Sequence, residues 1–436
     1  MRSVAPPEVC VLDRFGWSAL SVPAYRTFLL GAGAANAGLF MYAALSGWAA
    51  LLVTDSSAGV GIVYSAFALP TLFVTAHAGG VADGFGARRT FGVSAAAMGA
   101  LMALIGIASL TGRLDLPVFV VLSLALGVVT ALGLPASQSI VGELVPLGAI
   151  SGAVTLNFVQ FAIAKIVGGV VAGIALATLP LWATFLVAAI LTASLAIPLY
   201  RLPAAYAPPR ADDAVMADIR DGIRHARGRP SLAAIVVLGL APGSIAFTYL
   251  VILPAAARDV LGVGPNGLGN LLAVTGVGGL AAGLLLEPAQ RLVGHGRLLA
   301  GGLATMAGSI ALLGVAPSAF VAALALVLVG GAFVVYPSVT ITLIQAMAPA
   351  GLRGRLVGFF ALLYWGSLPI GGIAAGWLAE LVGPRGALVA AGVGTALFAL
   401  LAFALRPELL RLRVDRMGRL EGAMEPAQAS SGSATG

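Results

Sequence analysis

The chain has 436 residues, of which 60% are hydrophobic and only 9% charged, with a formal net charge of +7. A soluble domain carries about 25% charged residues, so a water-soluble globular or disordered protein is excluded and an integral membrane protein remains. The single cysteine, Cys10, has no partner for an internal disulfide and no neighbours with metal-ligand spacing.

A transmembrane helix needs about 20 consecutive apolar residues. In chain order, residues 1–28 contain no continuous apolar core and no small-residue cleavage site, so they read as a cytoplasmic N-terminal segment rather than a signal peptide. Six candidate spans follow within residues 29–200: Leu29–Val53, Val60–Ala82, Thr90–Leu110, Pro117–Val141, Gly152–Ala177 and Leu181–Leu199. Residues 201–231 form the longest polar stretch. In it, Asp212–Arg227 places Val215, Ile219, Ile223 and Ala226 on one stripe, the pattern of an amphipathic helix on the inner membrane surface. Six more spans occupy residues 232–405: Leu232–Ala256, Gly267–Leu286, Leu298–Ala316, Ala319–Ile344, Leu356–Ala379 and Gly386–Leu405. Residues 406–436 read as a cytoplasmic, disordered tail. The spans run apolar for about twice the length of a barrel strand, so they are helices.

Basic residues set the orientation. With the N-terminus in the cytoplasm, twenty arginines fall on the inside and only Arg113, Arg258 and Arg385 outside. An even number of spans then puts both termini in the cytoplasm. The positive charge is accounted for by topology, and no nucleic-acid partner is needed.

The two halves repeat. A shift of 203 positions carries Gly127 onto Gly330, Pro146 onto Pro349, Gly168 onto Gly371, Gly169 onto Gly372 and Gly173 onto Gly376. Spans map onto spans in the same direction, a parallel repeat of the kind found in transporters. The paired glycines four apart leave bare backbone on one helix face. They serve either tight static packing or sliding of one half on the other.

Between spans two and three lies Gly79-Gly80-Val81-Ala82-Asp83-Gly84-Phe85-Gly86-Ala87-Arg88-Arg89. This resembles the loop signature of the major facilitator superfamily, with Gly79, Asp83, Gly86, Arg88 and Arg89 matching and Gly84 standing where a basic residue is usual. Physically, Gly79 permits close helix approach and Gly86 a sharp turn. Asp83 places an anion at the helix end, and Arg88 and Arg89 can pair with it or with Glu143. The second-half counterpart is reduced to Gly283-x-x-x-Glu287 with Arg291 and Arg297. Glu143-Leu144-Val145-Pro146, Ala257-Arg258-Asp259-Val260-Leu261-Gly262 and Leu352-Arg353-Gly354-Arg355 are similar to the branch of enterobactin exporters and macrolide-efflux proteins. The resemblance implies an all-α membrane protein, with twelve transmembrane helices in two six-helix bundles around a central cavity. It also implies alternating access and export of small molecules driven by protons. Two departures stand out: Asn36 is not followed by the acidic residue common in span one, and span five reads Lys165-Ile166-Val167-Gly168-Gly169 in place of Arg-x-x-Gly-Pro.

An ionisable group inside the membrane is a functional candidate, because burying it is costly. Lys165 lies near mid-span, and no Asp or Glu sits deep in any span. It either holds an anionic substrate group, carries the coupled proton, or bonds carbonyls and water as a structural cation. Asn36, Asn157 and Gln160, together with Tyr336 and Tyr364, are the other expected lining residues; Tyr336, Tyr364 and Trp365 lie too deep to be interfacial anchors. Gln138 and Gln345 are further amides in spans four and ten. His77, two residues before the loop motif, is either a proton-coupling switch or an interfacial hydrogen-bonding residue. No metal cluster, no phosphate-binding Gly-Lys loop and no Ser/His/Asp set appears, so no cofactor and no enzymatic activity is expected.

The expected partners are a small-molecule substrate, protons and the lipid bilayer, with the chain a monomer in a bacterial plasma membrane. The leading function is secondary active export of drugs, siderophores or secondary metabolites by proton antiport. An importer of the same fold, and a non-transporting receptor or scaffold, stay open.

Overall fold

In the computed structural model, residues 17–146, 149–201, 230–349, 352–415 and 420 are described. The amphipathic segment 212–227 and the tail beyond residue 420 lie outside the described residues, as do residues 1–16.

The apolar runs form long helices. These are α1 (Pro23–Thr54), α2 (Ser57–Phe85), α3 (Ala87–Leu110), α4 (Leu116–Leu144), α5 (Ile150–Thr178) and α6 (Leu181–Tyr200) in the first half. The second half has α7 (Pro230–Val260), α8 (Gly264–Val293), α9 (His295–Val315), α10 (Ala319–Met347), α11 (Arg353–Gly366) and α12 (Leu368–Leu405). Eleven helical stretches among the described residues are long and apolar enough to cross a membrane, the last being Arg353–Leu405, 53 residues that join α11 and α12. That is more than twice the length a span needs. Gly383, at φ 75° and ψ 165°, is non-helical within it and divides it.

The two parts of that stretch run in opposite directions. Before the break, Ser65 donates to the Pro369 carbonyl at 2.8 Å and Ser56 to Glu380 Oε1 at 2.6 Å, so this part runs antiparallel to α2. After the break, a methyl group on Gly314 would meet the backbone of Arg385, and one on Gly392 the backbone of Ala307 and Ala311. The second part is therefore antiparallel to α9. The reversal comes where the sequence analysis expects a loop, and it costs little because glycine adopts positive φ freely.

Caps and turns differ between the two ends of the bundle. At the end marked by Asp55, polar side chains start the helices: Ser56 accepts from the Gly59 N–H, Asp115 from Val118 and Ser318 from Val321. At the opposite end, the reversals from α2 to α3 and from α8 to α9 are made by glycines in matching conformations, Gly86 (φ 83°, ψ 133°) and Gly294 (φ 87°, ψ 152°). The two halves thus turn alike at this end, at positions that the 203-residue shift does not superpose.

α7 is the irregular helix. Pi-helical turns at Pro242–Ala246 and Ala256–Val260 interrupt it. Each begins at or just after a proline, Pro242 or Pro254, whose ring lacks the N–H that a regular turn needs.

Within the first half, α2 packs on α4, α1 on α5 and α6, and α3 on α4 and α6. Within the second, α8 packs on α10, and α9 on α10 and α12. The halves meet mainly where α5 packs on α8 and α2 on α12. One apolar core runs through both halves. At the Gly86 end the first half has a separate core of its own, built from Tyr25, Phe28, Ala136, Ile140, Leu144, Ala153, Leu195 and Leu199.

Candidate substrate passage between the halves

The inter-half contacts are made of backbone. A methyl group on Gly169 would strike the backbone of Gly269 and Ala273, and one on Gly173 that of Asn266. Gly372 would meet Ser65, and Gly376 the backbone of Ser57 and Ala58. The two glycine pairs that the 203-residue shift superposes therefore occupy equivalent places, α5 against α8 and α12 against α2. Small residues let helices approach this closely in a membrane, where packing replaces the hydrophobic effect.

Polar contacts reinforce the same seal. Arg258 Nη1 lies 2.8 Å from Asp55 Oδ1, and its Nε lies 2.6 Å from Asp259. Glu380 Oε1 also accepts from the Ala58 N–H at 3.3 Å. Four polar contacts that join the halves, Arg258 to Asp55, Ser56 and the Ala58 N–H to Glu380, and Ser65 to the Pro369 carbonyl, lie between mid-depth and the Asp55 end. Toward the Gly86 end, a methyl group on Gly84, Gly142, Gly283, Gly354 or Gly358 would meet nothing within 4 Å, as would one on the turn glycines Gly112, Gly262, Gly264 and Gly383 of the other end. The backbone-close glycine contacts between the halves gather from mid-depth to the Asp55 end.

Lys165 is half-buried and turned toward the inter-half space. Phe161, one turn before it on the same face of α5, meets Phe40 of α1 edge to face at 4.9 Å. Phe40 shares its face of α1 with Gly47, where an added methyl would touch Pro254 of the second half. That face of α1 looks at the other bundle, and Lys165 looks the same way. Ile163, Val167 and Ile174 occupy a different, exposed face of α5. Lys165 makes no ion pair among the described residues.

Asn36 donates to Gln160 Oε1 at 3.4 Å, which brings two of the expected amides together across α1 and α5. Gln160 Nε2 is buried without a partner among the described residues. Asn157 is half-buried one turn before Gln160 on α5. Tyr336 and Tyr364 lie in the opposite bundle, 0% and 3% exposed, with parallel rings 6.4 Å apart. They are packed into an aromatic group whose accessible member is Trp365, 47% exposed.

Sequence reasoning missed three members of that group, Phe247, Phe333 and Phe360, the last lying 5.6 Å from Tyr364. Phe247 meets Phe333 at 4.4 Å, Trp365 at 5.9 Å and Tyr364 at 6.0 Å. Phenylalanine carries no polar signal in an apolar helix, so nothing in the pattern separates these rings from lipid-facing ones. The Asp55–Arg258 contact was missed for another reason: its partners are distant in sequence and each reads as an ordinary loop charge.

In the loop motif, Gly86 makes the expected turn. Arg88 is half-buried and Arg89 exposed. Arg88 is near enough to Glu143 for its charge to act on that carboxyl. Its Nε and one terminal nitrogen are buried without hydrogen-bond partners among the described residues. His77, Gly79 and Asp83 belong to α2, but their side chains and environments, like that of Gln138, lie outside the described residues. In the second half, Glu287 pairs with Arg291 one turn away. Gly294-His295-Gly296-Arg297 reproduces the spacing of Gly86-Ala87-Arg88-Arg89, a correspondence that the shift of 203 positions hides.

Comparison with known proteins agrees with this architecture. The family model described as transmembrane secretion effector, within the major facilitator superfamily, matches residues 15–418. The multidrug efflux pump Tap of Mycolicibacterium fortuitum is 31% identical over 356 residues, covering 77% of this chain and 84% of that protein. Among solved structures, the nucleoside transporter NupG superposes with a TM-score of 0.71 at 14% identity, covering 88% of this chain and 99% of that one. A D-xylose–proton symporter superposes at 0.66 and 18% identity, covering 91% and 99%. These structures share the fold. With the family model matched over most of its length, the chain belongs to the transmembrane secretion effector family of the major facilitator superfamily, as a multi-pass membrane transporter and not an enzyme.

Proposed function

We propose that this protein is a secondary active exporter of small organic molecules, working by alternating access as a proton antiporter. Gly383 turns the last long helical stretch into two crossings, giving twelve in all and six per half. Both termini then lie on the side of Gly86, which the arginine distribution makes the cytoplasm of a bacterial cell. The bundle is accordingly read as sealed outside and open inside.

The observation that carries this reading is the paired, backbone-close contact between the halves. Bare glycine backbones of the two halves meet from mid-depth to the Asp55 end, Gly169 and Gly173 against α8 and Gly372 and Gly376 against α2. Smooth faces of this kind let one half rock against the other without unlocking side chains. The multidrug pump relative favours export over import.

The test is accumulation of a panel of antibiotics and dyes in cells lacking their own pumps, with and without the protein. Lower accumulation of at least one compound, reversed when the proton gradient is collapsed, is the expected result. Higher accumulation would make it an importer, and no change across a broad panel would remove the exporter reading.

A further inference from the structure

The two walls of the passage differ in chemistry. The first half contributes Lys165, an ammonium turned toward the inter-half space with no ion pair among the described residues. The nearest unpartnered polar atom on the same helix is Gln160 Nε2, also a donor. Lysine has three donors and no acceptor, and the free end of this amide has two donors. The described carboxylates of the long helices and their turns, Asp55, Asp115, Glu143, Asp259, Glu287 and Glu380, lie near helix ends or the Gly383 break, and Glu408 and Asp415 follow the last long helix. A cation held at mid-depth without a counter-ion is costly, and an anionic ligand would supply the missing charge.

The second half contributes rings. Trp365 is 47% exposed, and Ile370, Trp377 and Leu381 occupy a different face of the same stretch. Phe247 lies against both Trp365 and Phe333. An accessible indole beside two phenyl rings offers surfaces on which a planar ring stacks or packs edge to face.

The two walls lie at one depth. Ile166, next to Lys165, sits where a methyl on Gly276 of α8 would touch it. Val334, next to Phe333, occupies the same relation to Gly279. Gly276 and Gly279 are three residues apart, a rise of about 4.5 Å. Ammonium and aromatic surface are therefore level with each other on opposite halves.

We propose that the transported molecules are aromatic acids, with the acid group at Lys165 and the ring against Trp365 and Phe247. This rests on the transporter reading and adds a substrate class to it.

The test is equilibrium binding to the full-length protein in lipid nanodiscs of three probes: 1-naphthylacetate, its neutral analogue 1-naphthylacetamide, and cyclohexylacetate. The naphthyl acid should bind at least tenfold tighter than either of the others. Lys165→Met should bring the acid-to-amide ratio to near one while amide binding is kept, and Trp365→Leu should cut the naphthyl-to-cyclohexyl preference to less than threefold. Should Lys165→Met not fold, Lys165→Gln is read in the same way, and Lys165→Arg should keep the acid preference. Amide binding equal to acid binding in the parent, an unchanged ratio in Lys165→Met, or no binding of any probe would each overturn the proposal. The two readings fail separately. Export confined to neutral or cationic compounds removes the aromatic acid and leaves the exporter. Lys165-dependent binding without any change in cellular accumulation does the reverse.

Discussion

Arg258 reaches from α7 to Asp55, which ends α1 in the left-handed conformation at φ 49°, and closes a 2.8 Å ion pair across the two halves. Asp55 is the one described non-glycine residue at positive φ. Its side chain is 83% exposed, so the pair is worth about 0–1 kcal/mol and is screened by salt. It biases the seal and does not lock it. Arg258→Ala should shift the balance toward opening at this end by up to about fivefold. In a Cys10→Ser background, a cysteine at the buried position Ser65 should react two- to fivefold faster with an impermeant reagent applied from that side. High salt should move the parent in the same direction. An unchanged rate in both would remove the pair from the seal.

Orientation is tested by the same chemistry. Arg113→Cys and Pro317→Cys are exposed at the Asp55 end, Gly84→Cys and Leu292→Cys at the other. Only the first two should label in intact cells. The opposite pattern would invert the topology and make the observed state open to the outside.

The glycine faces give a steric prediction. A side chain at Gly269 would run into the backbone of Gly173, while Gly308 on α9 has nothing within 4 Å. Gly269→Val should cut transport more than tenfold at equal expression, because the halves can no longer close at this level. Gly308→Ala should stay within twofold of the parent. Full activity of Gly269→Val would mean that the close approach is not needed for transport.

Much of this was legible in the sequence. Span positions follow from apolar runs alone, and the shift of 203 positions identified Gly169, Gly173, Gly372 and Gly376 before their shared interface was visible. Internal symmetry leaves a linear record in a way that contacts do not. Their partners, Gly269 and Gly61, were invisible because a glycine in a Gly-rich helix has no signature of which face it occupies. Tyr336 and Tyr364 were placed deep, but sequence depth cannot distinguish a ring inside a bundle from one beside its passage. The structure buries both and leaves Trp365 accessible. The irregular course of α7 was hidden because prolines are ordinary in membrane helices.

Arg88 has unspent donors in the state described, next to Glu143. They are expected to find partners when the Gly86 end closes. Arg88→Ala and Glu143→Gln should each lower transport several-fold with normal expression, and Asp83→Asn belongs in the same series. The double variant of Arg88 and Glu143 should be no worse than the more damaging single one, since both remove one interaction. Fully multiplicative losses would show that the two residues act independently.

The central claim is that the two ends open in alternation. Spin labels at Arg113 and Pro317 report the Asp55 end, and labels at Gly84 and Leu292 report the other; Cys10, the sole native cysteine, is replaced in both pairs. Distance distributions by pulsed electron resonance, measured across pH and with added substrate, should show two populations at each end. Conditions that lengthen the first distance should shorten the second. A single unchanging distance at each end, or both ends lengthening together, would contradict the account.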